Sequence, residues 1–157
     1  MRIGILSDTH GFLDPRVLEW FAGVDAIWHA GDVGRLSVLA ELERLAPVTA
    51  VLGNNDWGMP LRETERVAAG EMKFLLRHIV DPQRPGDALL EEIARGEIQG
   101  VVFGHTHRPY WNWHHGALFL NPGYCGRPRA GQPRTVALLT VGPEGCRVEH
   151  VGLGDPW

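Results

Sequence analysis

The strongest constraint on this chain is that its acidic, amide and histidine side chains cluster directly after segments that read as buried strands. The clusters are Asp8-Thr9-His10, Gly31-Asp32, Gly53-Asn54-Asn55-Asp56 and Gly104-His105-Thr106-His107, with His78 alone between the last two. Because strands of an open α/β sheet present their carboxyl ends at one edge, these side chains are expected to converge there. Such a set of carboxylate, imidazole and amide groups indicates a hydrolase that binds two metal ions.

The first third of the chain alternates predicted strands and helices. The predicted strands are the short apolar runs 2–7, 24–29 and 48–52. One helix is predicted at 14–22, with a proline in its first turn. A second helix is indicated by leucines at three-residue steps, Leu36, Leu39, Leu42 and Leu45. This alternation is typical of a parallel α/β sheet.

Beyond residue 64 the pattern changes to strands separated by turns. Segments 65–69 and 72–78 flank Gly70 and predict an antiparallel hairpin. A helix is predicted at 87–95, and a short strand at 100–103 leads into Gly104-His105. Four later segments are predicted as antiparallel strands, namely 110–114, 117–120, 135–141 and 147–151. The periodicity therefore predicts a layered α/β/α or α/β sandwich with mixed sheets.

Length, charge and composition exclude several other classes of protein. A chain of 157 residues is expected to form one domain, 1–157. Its first residues are apolar only as far as Asp8 and His10, unlike a signal peptide or membrane span, so a cytoplasmic location is expected. Cys125 and Cys146 are expected to be free thiols, with one disulfide as the alternative. The net charge of −4 argues against tight binding to long nucleic acids and leaves small phosphate-bearing substrates open.

The clusters, in this order and spacing, resemble the calcineurin-like metallophosphoesterases, and specifically their small prokaryotic phosphodiesterase branch. The resemblance spans nearly the whole chain through Ser7-Asp8-Thr9-His10-Gly11, His29-Ala30-Gly31-Asp32, Leu52-Gly53-Asn54-Asn55-Asp56, Val101-Val102-Phe103-Gly104-His105-Thr106-His107 and Leu120-Asn121-Pro122-Gly123. It implies an α/β fold, a layered α/β/β/α sandwich of two mixed β-sheets flanked by helices. It also implies a metal-dependent phosphodiesterase that acts on a small or flexible phosphodiester, with nucleotides as candidates and without membrane partners.

By the same resemblance, seven residues hold two divalent transition-metal ions. The first ion is expected on Asp8, His10 and His107, and the second on Asn54, His78 and His105, with Asp32 as the bridge. Such a pair of ions shares a water, lowers its pKa and clamps phosphate oxygens, so that hydroxide attacks phosphorus directly. Manganese is expected first, with zinc, iron, nickel or cobalt as alternatives.

Two positions depart from the family pattern. The lone histidine of the family is usually followed by glycine, whereas Ile79 follows His78 here. At position 55 many relatives carry a histidine thought to protonate the leaving group or to stabilise the transition state. Asn55 donates a hydrogen bond but is not a useful acid near neutral pH, so we assign it a catalytic role without proton transfer. This favours phosphodiesters over phosphomonoesters as substrates.

Two alternative functions fit the same pattern. One is a phosphomonoesterase. The other is a catalytically weak scaffold of the retromer-subunit type, which the four candidate ligand histidines argue against. Taken singly, Asp8 or Asp32 could cap a helix, and Gly53-Asn54-Asn55-Asp56 could be a turn, but the joint pattern outweighs these explanations.

The roles of several residues near the clusters stay open at this level. Asp56 is either an orienting partner of a ligand or a loop cap. Arg108, Arg127 and Arg129 could contact substrate phosphate, form surface ion pairs or lie in a subunit contact of a homo-oligomer. His114, His115 and His150 are expected to be solvated. The glycines before Asp32, Asn54 and His105 are expected to allow sharp turns and close backbone approach.

Overall fold

The computed structural model describes residues 1–154. The single domain predicted over 1–157 therefore includes residues 155–157, which lie outside the described part. The strands are β1 (Arg2–Leu6), β2 (Ala26–His29), β3 (Val48–Ala50), β4 (Thr64–Ala69), β5 (Met72–Arg77), β6 (Gly100–Val102), β7 (Tyr110–His114), β8 (Ala117–Asn121), β9 (Thr135–Gly142) and β10 (Gly145–Gly152). The helices are α1 (Pro15–Trp20), α2 (Leu36–Glu43) and α3 (Asp87–Ala94). The elements predicted from periodicity are all present, with ends shifted by at most two residues.

The strands form two mixed five-stranded sheets. The first has the order β10-β9-β1-β2-β3, in which β1, β2 and β3 are parallel and β9 is antiparallel to both of its neighbours, β1 and β10. The second has the order β4-β5-β6-β8-β7, in which β5, β6 and β8 are parallel. The sequence predicted that segment 117–120, now β8, pairs only with antiparallel strands, and this prediction is wrong for one of its two neighbours. This strand is antiparallel to β7, but its Phe119 pairs with Val101 of the parallel strand β6.

Apolar side chains lie on both faces of the strands. Those on the inner faces pack the two sheets against each other, and those on the outer faces pack against the helices. Ile3 and Ile5 of β1 face Phe74 and Leu76 of β5 in the core between the sheets. The outer face of the first sheet packs on α1 and α2, whereas the outer face of the second packs on α3. Alternation with a period of two places these residues on opposite faces of each strand. The layered α/β/β/α sandwich expected from the resemblance is confirmed.

A buried ion pair joins α1 to the start of β9. Asp14 caps α1 by accepting a 2.9 Å hydrogen bond from the Arg16 backbone N–H at Oδ1, while Arg134 donates from both Nη atoms to Asp14 Oδ2 at 2.7 Å. The hydrogen bonds and positive charge of Arg16, together with the charge of Arg134, hold the pKa of Asp14 below its ordinary value despite burial. Helix α1 is thereby fixed beside the loop that carries His10.

Two smaller expectations about the chain can be compared with the structure. Both cysteines are free, and burial raises the pKa of the Cys125 thiol to about 12, so this thiol is not reactive near neutral pH. Within residues 1–154, no helix has the length and apolar character needed to span a membrane.

Candidate metal centre

Residues predicted as metal ligands follow the carboxyl ends of strands from both sheets and meet in one place. Asp8 and His10 follow β1, Asp32 follows β2, and His107 follows β6. The Asp8 Oδ1 atom lies 3.2 Å from Nε2 of His107 and 3.8 Å from Nε2 of His10. It also lies 3.8 Å from Nε2 of His78, which follows β5 of the second sheet. The Asp8 carboxylate is thus surrounded by three imidazoles.

The Asp32 carboxylate lies beside two of the same imidazoles. Its Oδ2 atom is 3.4 Å from Nε2 of His78 and 3.8 Å from Nε2 of His10. Two groups of side chains could therefore hold a cation each, with all ligand atoms of a group within 4.8 Å of one another: Asp8, His10 and His107, and Asp8, Asp32 and His78. In this geometry Asp8 belongs to both groups, and Asp32 Oδ2 also approaches His10 of the first.

Three atoms in this cluster are buried and have no hydrogen-bond partner: Asp8 Oδ1, His10 Nε2 and His78 Nε2. A buried polar atom without a partner costs roughly 1–3 kcal/mol, more when charged. Each of the three belongs to a group of side chains that could hold a cation, and oxygen and imidazole nitrogen are ligands that divalent transition metals prefer. These residues therefore fit bound metal ions, because coordination would satisfy each of the three atoms.

The tautomer of His78 suits a metal ligand. Its Nδ1 atom lies 2.7 Å from the Ala30 carbonyl oxygen and donates to it, which leaves Nε2 free to face the two carboxylates. A backbone acceptor on the second ring nitrogen is typical of metal-binding histidines. Burial opposes protonation of His78, but the neighbouring carboxylates of Asp32 and Asp8 outweigh it and raise its pKa. The absence of the usual glycine after it leaves Ile79 exposed at the surface.

Asn54 and His105 lie at the solvent-facing side of the cluster. Both are exposed, and Nδ1 of His105 lies 3.1 Å from Oδ1 of Asn54. The His105 ring packs edge-on against His78, with ring centroids 5.3 Å apart. The structure therefore brings these two residues beside His78, whereas only His78 of the three approaches the carboxylates.

Backbone strain is concentrated at the predicted ligands. Among residues 1–154, the non-glycine residues with positive φ are Asp8, His10, Asp32, His105, His107 and His115, with values from 48° to 69°. Residues with a side chain rarely adopt this conformation, which costs on the order of 1–3 kcal/mol each, and such strain tends to mark functional sites. All of these residues except His115 belong to the predicted metal set.

Two glycines allow the loops to approach the carboxylates as expected. A Cβ atom on Gly53 would lie 2.1 Å from Oδ1 of Asp32, and one on Gly104 would lie 2.0 Å from the Ser7 hydroxyl oxygen and 2.9 Å from Oδ2 of Asp8. Any side chain at either position would displace a residue of the centre. The glycines of the Gly53-Asn54 and Gly104-His105 clusters are thus required by close packing.

Asn55 holds the Asp32 carboxylate in place. Its backbone N–H donates to Oδ1 at 2.9 Å, and its side-chain amide donates to Oδ2 at 2.8 Å. Although burial opposes ionisation, the neighbouring His78 and the hydrogen bonds from Asn55 outweigh it and hold the pKa of Asp32 well below its ordinary value. Asn55 itself is exposed, so its side chain borders both Asp32 and the solvent-facing side of the centre.

Asp56 ties two loops of the centre together. Its buried carboxylate accepts hydrogen bonds from the backbone N–H groups of Val33 (3.0 Å), Gly34 (2.9 Å) and Gly53 (2.8 Å). These groups belong to the loops that carry Asp32 and Asn54. Of the two interpretations left open by the sequence, the structure supports a loop cap, one that orders two loops at once.

Replacing Asp56 by alanine is expected to lower the free energy of unfolding by at least about 2 kcal/mol, because three backbone donors lose their acceptor. Urea unfolding of the metal-free protein measures this change. Asp81→Ala is the matched control, since Asp81 is exposed and accepts one backbone N–H, that of Gln83, at 3.0 Å. A loss for Asp56→Ala no larger than that of the control would contradict the role of Asp56 as a tether.

Further polar groups support the centre from behind. The Asn121 amide donates to the Gly104 carbonyl oxygen and to the Thr106 hydroxyl, both at 3.0 Å, so the Asn121-Pro122-Gly123 turn holds the loop with His105 and His107. Burial lowers the pKa of His29 to about 3 and keeps it neutral. Contrary to the expectation that it is solvated, His150 is half-buried and donates to the Asn121 carbonyl oxygen at 2.7 Å.

Sequence reasoning missed Tyr124 and Thr9. The Tyr124 ring lies 4.8 Å from the ring of His107 and 6.2 Å from that of His10, so it forms the wall behind both. The Thr9 hydroxyl lies 2.9 Å from Nε2 of His29 and donates to the Val33 carbonyl oxygen at 2.8 Å. The position of Thr9 within the first cluster could have indicated its role. Nothing in the sequence indicates that Tyr124 contacts His107.

Comparisons with known proteins identify the family of this chain. A family model described as the calcineurin-like phosphoesterase superfamily domain matches residues 1–144. A probable metallophosphoesterase from Methanothermobacter thermautotrophicus is 32% identical, over 99% of this chain and 95% of its own length. A phosphodiesterase from Methanocaldococcus jannaschii is 31% identical, over 88% of this chain and 92% of its own length.

Among solved structures, zinc-bound Vps29 from Entamoeba histolytica has a TM-score of 0.75 and 21% identity, over 98% of this chain and 100% of its own. This likeness shows the shared fold alone. The family match covers most of the chain, and the named relatives span nearly all of it. The chain therefore belongs to the calcineurin-like phosphoesterase superfamily and is a metal-dependent phosphoric ester hydrolase.

Proposed function

We propose that the protein is a dinuclear phosphodiesterase that hydrolyses a small or flexible phosphodiester, with nucleotide esters as candidates. The observation that carries the proposal is the set of three buried, unpaired ligand atoms around two shared carboxylates. One cation would leave part of this set unsatisfied, since His10 and His78 belong to different groups of ligand atoms. The relatives that are named phosphodiesterases support the choice of a diester.

The seven predicted ligands divide between the two ions in this proposal. Asp8, His10 and His107 hold the first ion, and Asn54, His78 and His105 hold the second. Asp32 lies near His10 and His78 and is the proposed bridge. Two bound divalent ions would lower the pKa of a water and neutralise charge on the phosphate oxygens. Imidazole and carboxylate donors suit manganese, with zinc, iron, nickel or cobalt as alternatives.

The protein's own residues orient this chemistry. Asn55 orients both Asp32 oxygens by two hydrogen bonds, and the Ala30 carbonyl accepts from Nδ1 of His78, so that Nε2 faces the carboxylates. Asn55 faces solvent at the position where many relatives have histidine, and its amide supplies a hydrogen bond without transferring a proton. A phosphodiester has less negative charge to neutralise than a monoester, so it depends less on an additional cationic donor at this position.

A cavity beside the second group of ligands could accommodate one arm of the ester. It has a volume of about 310 Å³, and its lining includes Leu52, Asn54, Arg77, His78 and Ile79. The lining combines the apolar side chains of Leu52 and Ile79 with one guanidinium group and the carboxylate of Glu63, so it offers both apolar and polar contacts to an organic substituent. A phosphomonoester has only one such arm and would use one side of the centre.

The function is tested by measuring metal content and hydrolysis on the same preparation. Protein reconstituted with Mn²⁺ is expected to retain two ions per chain after desalting and to hydrolyse bis(p-nitrophenyl) phosphate faster than p-nitrophenyl phosphate. Excess chelator should abolish both activities. Two bound ions without hydrolysis of either ester would favour the scaffold alternative suggested by the shared Vps29 fold, whereas full activity in chelator would exclude a metal-dependent reaction.

Replacing His78 by alanine is expected to lower metal content from two ions to about one and to reduce diester turnover at least about tenfold. The reason is that His78 Nε2 is an imidazole ligand of the proposed second group, and metal-ligand losses have large effects on affinity. Elemental analysis and circular dichroism of the variant separate ligand loss from unfolding. His115→Ala is the control, because His115 is exposed on the turn between β7 and β8. Two retained ions with normal turnover would assign His78 a structural role.

A further inference from the structure

The segment 126–132, which we call the arginine loop, is fastened to the metal centre at both ends. Near its start, the Tyr124 hydroxyl donates to the Arg127 carbonyl oxygen at 2.8 Å. At its end, the Gln132 amide donates to the His107 carbonyl oxygen at 2.9 Å. The loop carries Arg127 and Arg129, and both side chains are exposed. The structure thus fixes two guanidinium groups beside the first group of ligands.

Each guanidinium group lies over an aromatic ring. Arg127 Cζ is 4.9 Å from the centre of the Phe12 ring, and Arg129 Cζ is 4.9 Å from the centre of the Tyr124 ring. Contacts of this kind contribute about 0.5–1 kcal/mol at exposed sites and restrict the orientation of the guanidinium plane. They leave the N–H groups available, because an aromatic face does not occupy the donors as a carboxylate would.

Among the described residues, no acidic group neutralises either arginine. Within residues 1–154, no carboxylate oxygen lies within 4.0 Å of the guanidinium nitrogens of Arg127 or Arg129. Other exposed arginines of the chain do have such partners, for example Arg66 with Glu92 at 2.9 Å and Arg95 with Glu97 at 2.9 Å. In a protein with a net charge of −4, two unpaired arginines on one short loop are a local excess of positive charge.

The rings beneath the arginines connect them to the catalytic side of the protein. Tyr124, under Arg129, packs on His107 with ring centroids 4.8 Å apart, and Phe12, under Arg127, is two residues after His10. The arginines therefore lie about one aromatic ring beyond the first group of ligands. The cavity lined by Arg77 and Ile79 borders the second group instead. An ester bound at the centre would extend one arm to each side.

We propose that Arg127 and Arg129 bind a second phosphate of the substrate, carried on one ester arm of the diester. The inference rests on the proposed phosphodiesterase function and names its substrate class, a phosphodiester with an additional terminal phosphate. Guanidinium groups bind phosphate through paired N–H···O bonds, which are stronger than neutral hydrogen bonds. Of the three roles that the sequence left open for these two arginines, this proposal selects contact with substrate phosphate.

The test compares two aryl diesters that differ only in the second phosphate. These are the p-nitrophenyl ester of thymidine 5′-phosphate and the same compound with a 3′-phosphate. For the manganese-loaded protein, kcat/KM is expected to be about tenfold higher for the compound with the 3′-phosphate, a ratio typical of one or two charge-assisted hydrogen bonds. In the variant R127M/R129M this ratio should fall to near one. The preference of the wild type should also weaken as salt is raised from low to high concentration.

A binding measurement supplies a readout besides turnover. Titration calorimetry of metal-free protein with thymidine 3′,5′-bisphosphate is expected to show weaker binding for R127M/R129M than for the wild type. The control variant R95M/R147M removes the same number of positive charges from exposed positions, one at the C-terminal end of α3 and one on β10, and it should keep both the ratio and the affinity. This control separates local contact from loss of overall charge.

The outcomes distinguish the two proposals. If the wild type hydrolyses neither diester, the proposed function fails. If it hydrolyses both but the ratio is the same in the wild type and in R127M/R129M, only the arginine loop proposal is overturned. The same conclusion follows if R95M/R147M loses the ratio equally, or if R127M/R129M changes the oligomeric state and leaves the ratio intact.

Discussion

Replacing Asp32 by asparagine is expected to lower kcat/KM for an aryl phosphodiester by about 10³-fold and to reduce occupancy of both metal sites. This factor is similar to the loss of one key electrostatic contact in other hydrolytic sites. The Asp32 Oδ2 atom lies 3.4 Å from His78 and 3.8 Å from His10, so the proposed bridge contacts both groups of ligands. The substitution removes its negative charge with almost no change in volume.

Hydrogen bonding makes this substitution more severe than charge loss alone. The Asn55 backbone N–H points at Oδ1 of Asp32 and its side-chain amide points at Oδ2. An asparagine at position 32 can present an acceptor to only one of these donors, and its own NH₂ group would face the other. The carboxamide would then rotate away from its place or leave a donor unsatisfied, which costs roughly 1–3 kcal/mol in a buried setting.

The measurement is elemental analysis of reconstituted protein together with steady-state kinetics. Asp25→Asn is the matched control, because Asp25 is an exposed aspartate next to β2 whose carboxylate accepts the Arg2 backbone N–H at 2.7 Å. It should retain metal content and turnover. If Asp32→Asn kept two ions and lost less than tenfold in kcat/KM, Asp32 would not be the bridge, and Asp8, which contacts three imidazoles, would take that role.

Most of the fold was predictable because its signals are local. The continuous apolar run of β1 and the leucines at helical spacing in α2 depend only on neighbouring positions. Strand pairing is not local, and β8 shows the consequence. Turn residues on either side of it indicate a hairpin with β7, but nothing near Phe119 indicates that its second neighbour is the parallel strand β6, whose Val101 lies far away in the sequence.

The position of the site was predictable for a topological reason, whereas its internal contacts were not. Polar clusters after β1 and β2 had to meet because these parallel strands end at the same edge of the first sheet, and the cluster after β6 joins them because the second sheet packs on the first with its parallel strand ends on the same side. The contact of Asn55 with Asp32 and that of Tyr124 with His107 depend on how separate loops pack. The positive φ values at Asp8 and Asp32 could not be predicted from the sequence either, since they arise where the loops after the strands converge. The metal-ligand roles themselves stay predictions.

Replacing Asn55 by histidine is expected to raise phosphomonoesterase activity relative to phosphodiesterase activity by about 10²-fold, the lower end of what general acid catalysis contributes. A monoester places more negative charge on phosphorus and gains more from a cationic or acidic donor near the leaving group. Asn55 is exposed beside Asp32, so an imidazole at this position would reach the solvent-facing side of the centre. Histidine titrates near neutral pH and can supply the proton that an amide cannot.

The structure also predicts a cost of this substitution. Histidine cannot reproduce both hydrogen bonds of Asn55, and the 2.8 Å bond from its side-chain amide to Asp32 Oδ2 would be lost. Total activity and metal affinity should therefore fall somewhat while the ratio of monoester to diester turnover rises. Asn55→Gln is the control. It retains an amide, it also disturbs the hydrogen bond of the side chain with Asp32, and it offers no titratable group. Its ratio should stay that of the wild type.

Leaving groups of different acidity separate proton donation from other effects of position 55. With p-nitrophenolate, which needs little protonation, the wild type should cleave the diester well, and with a poor alkyl leaving group its rate should fall steeply. Because a histidine donor would compensate for the poor leaving group, Asn55→His should fall less steeply. Values of kcat/KM for matched mono- and diesters with both leaving groups decide the issue. A wild type that prefers the monoester, or an unchanged ratio in Asn55→His, would show that another residue selects between the two ester classes.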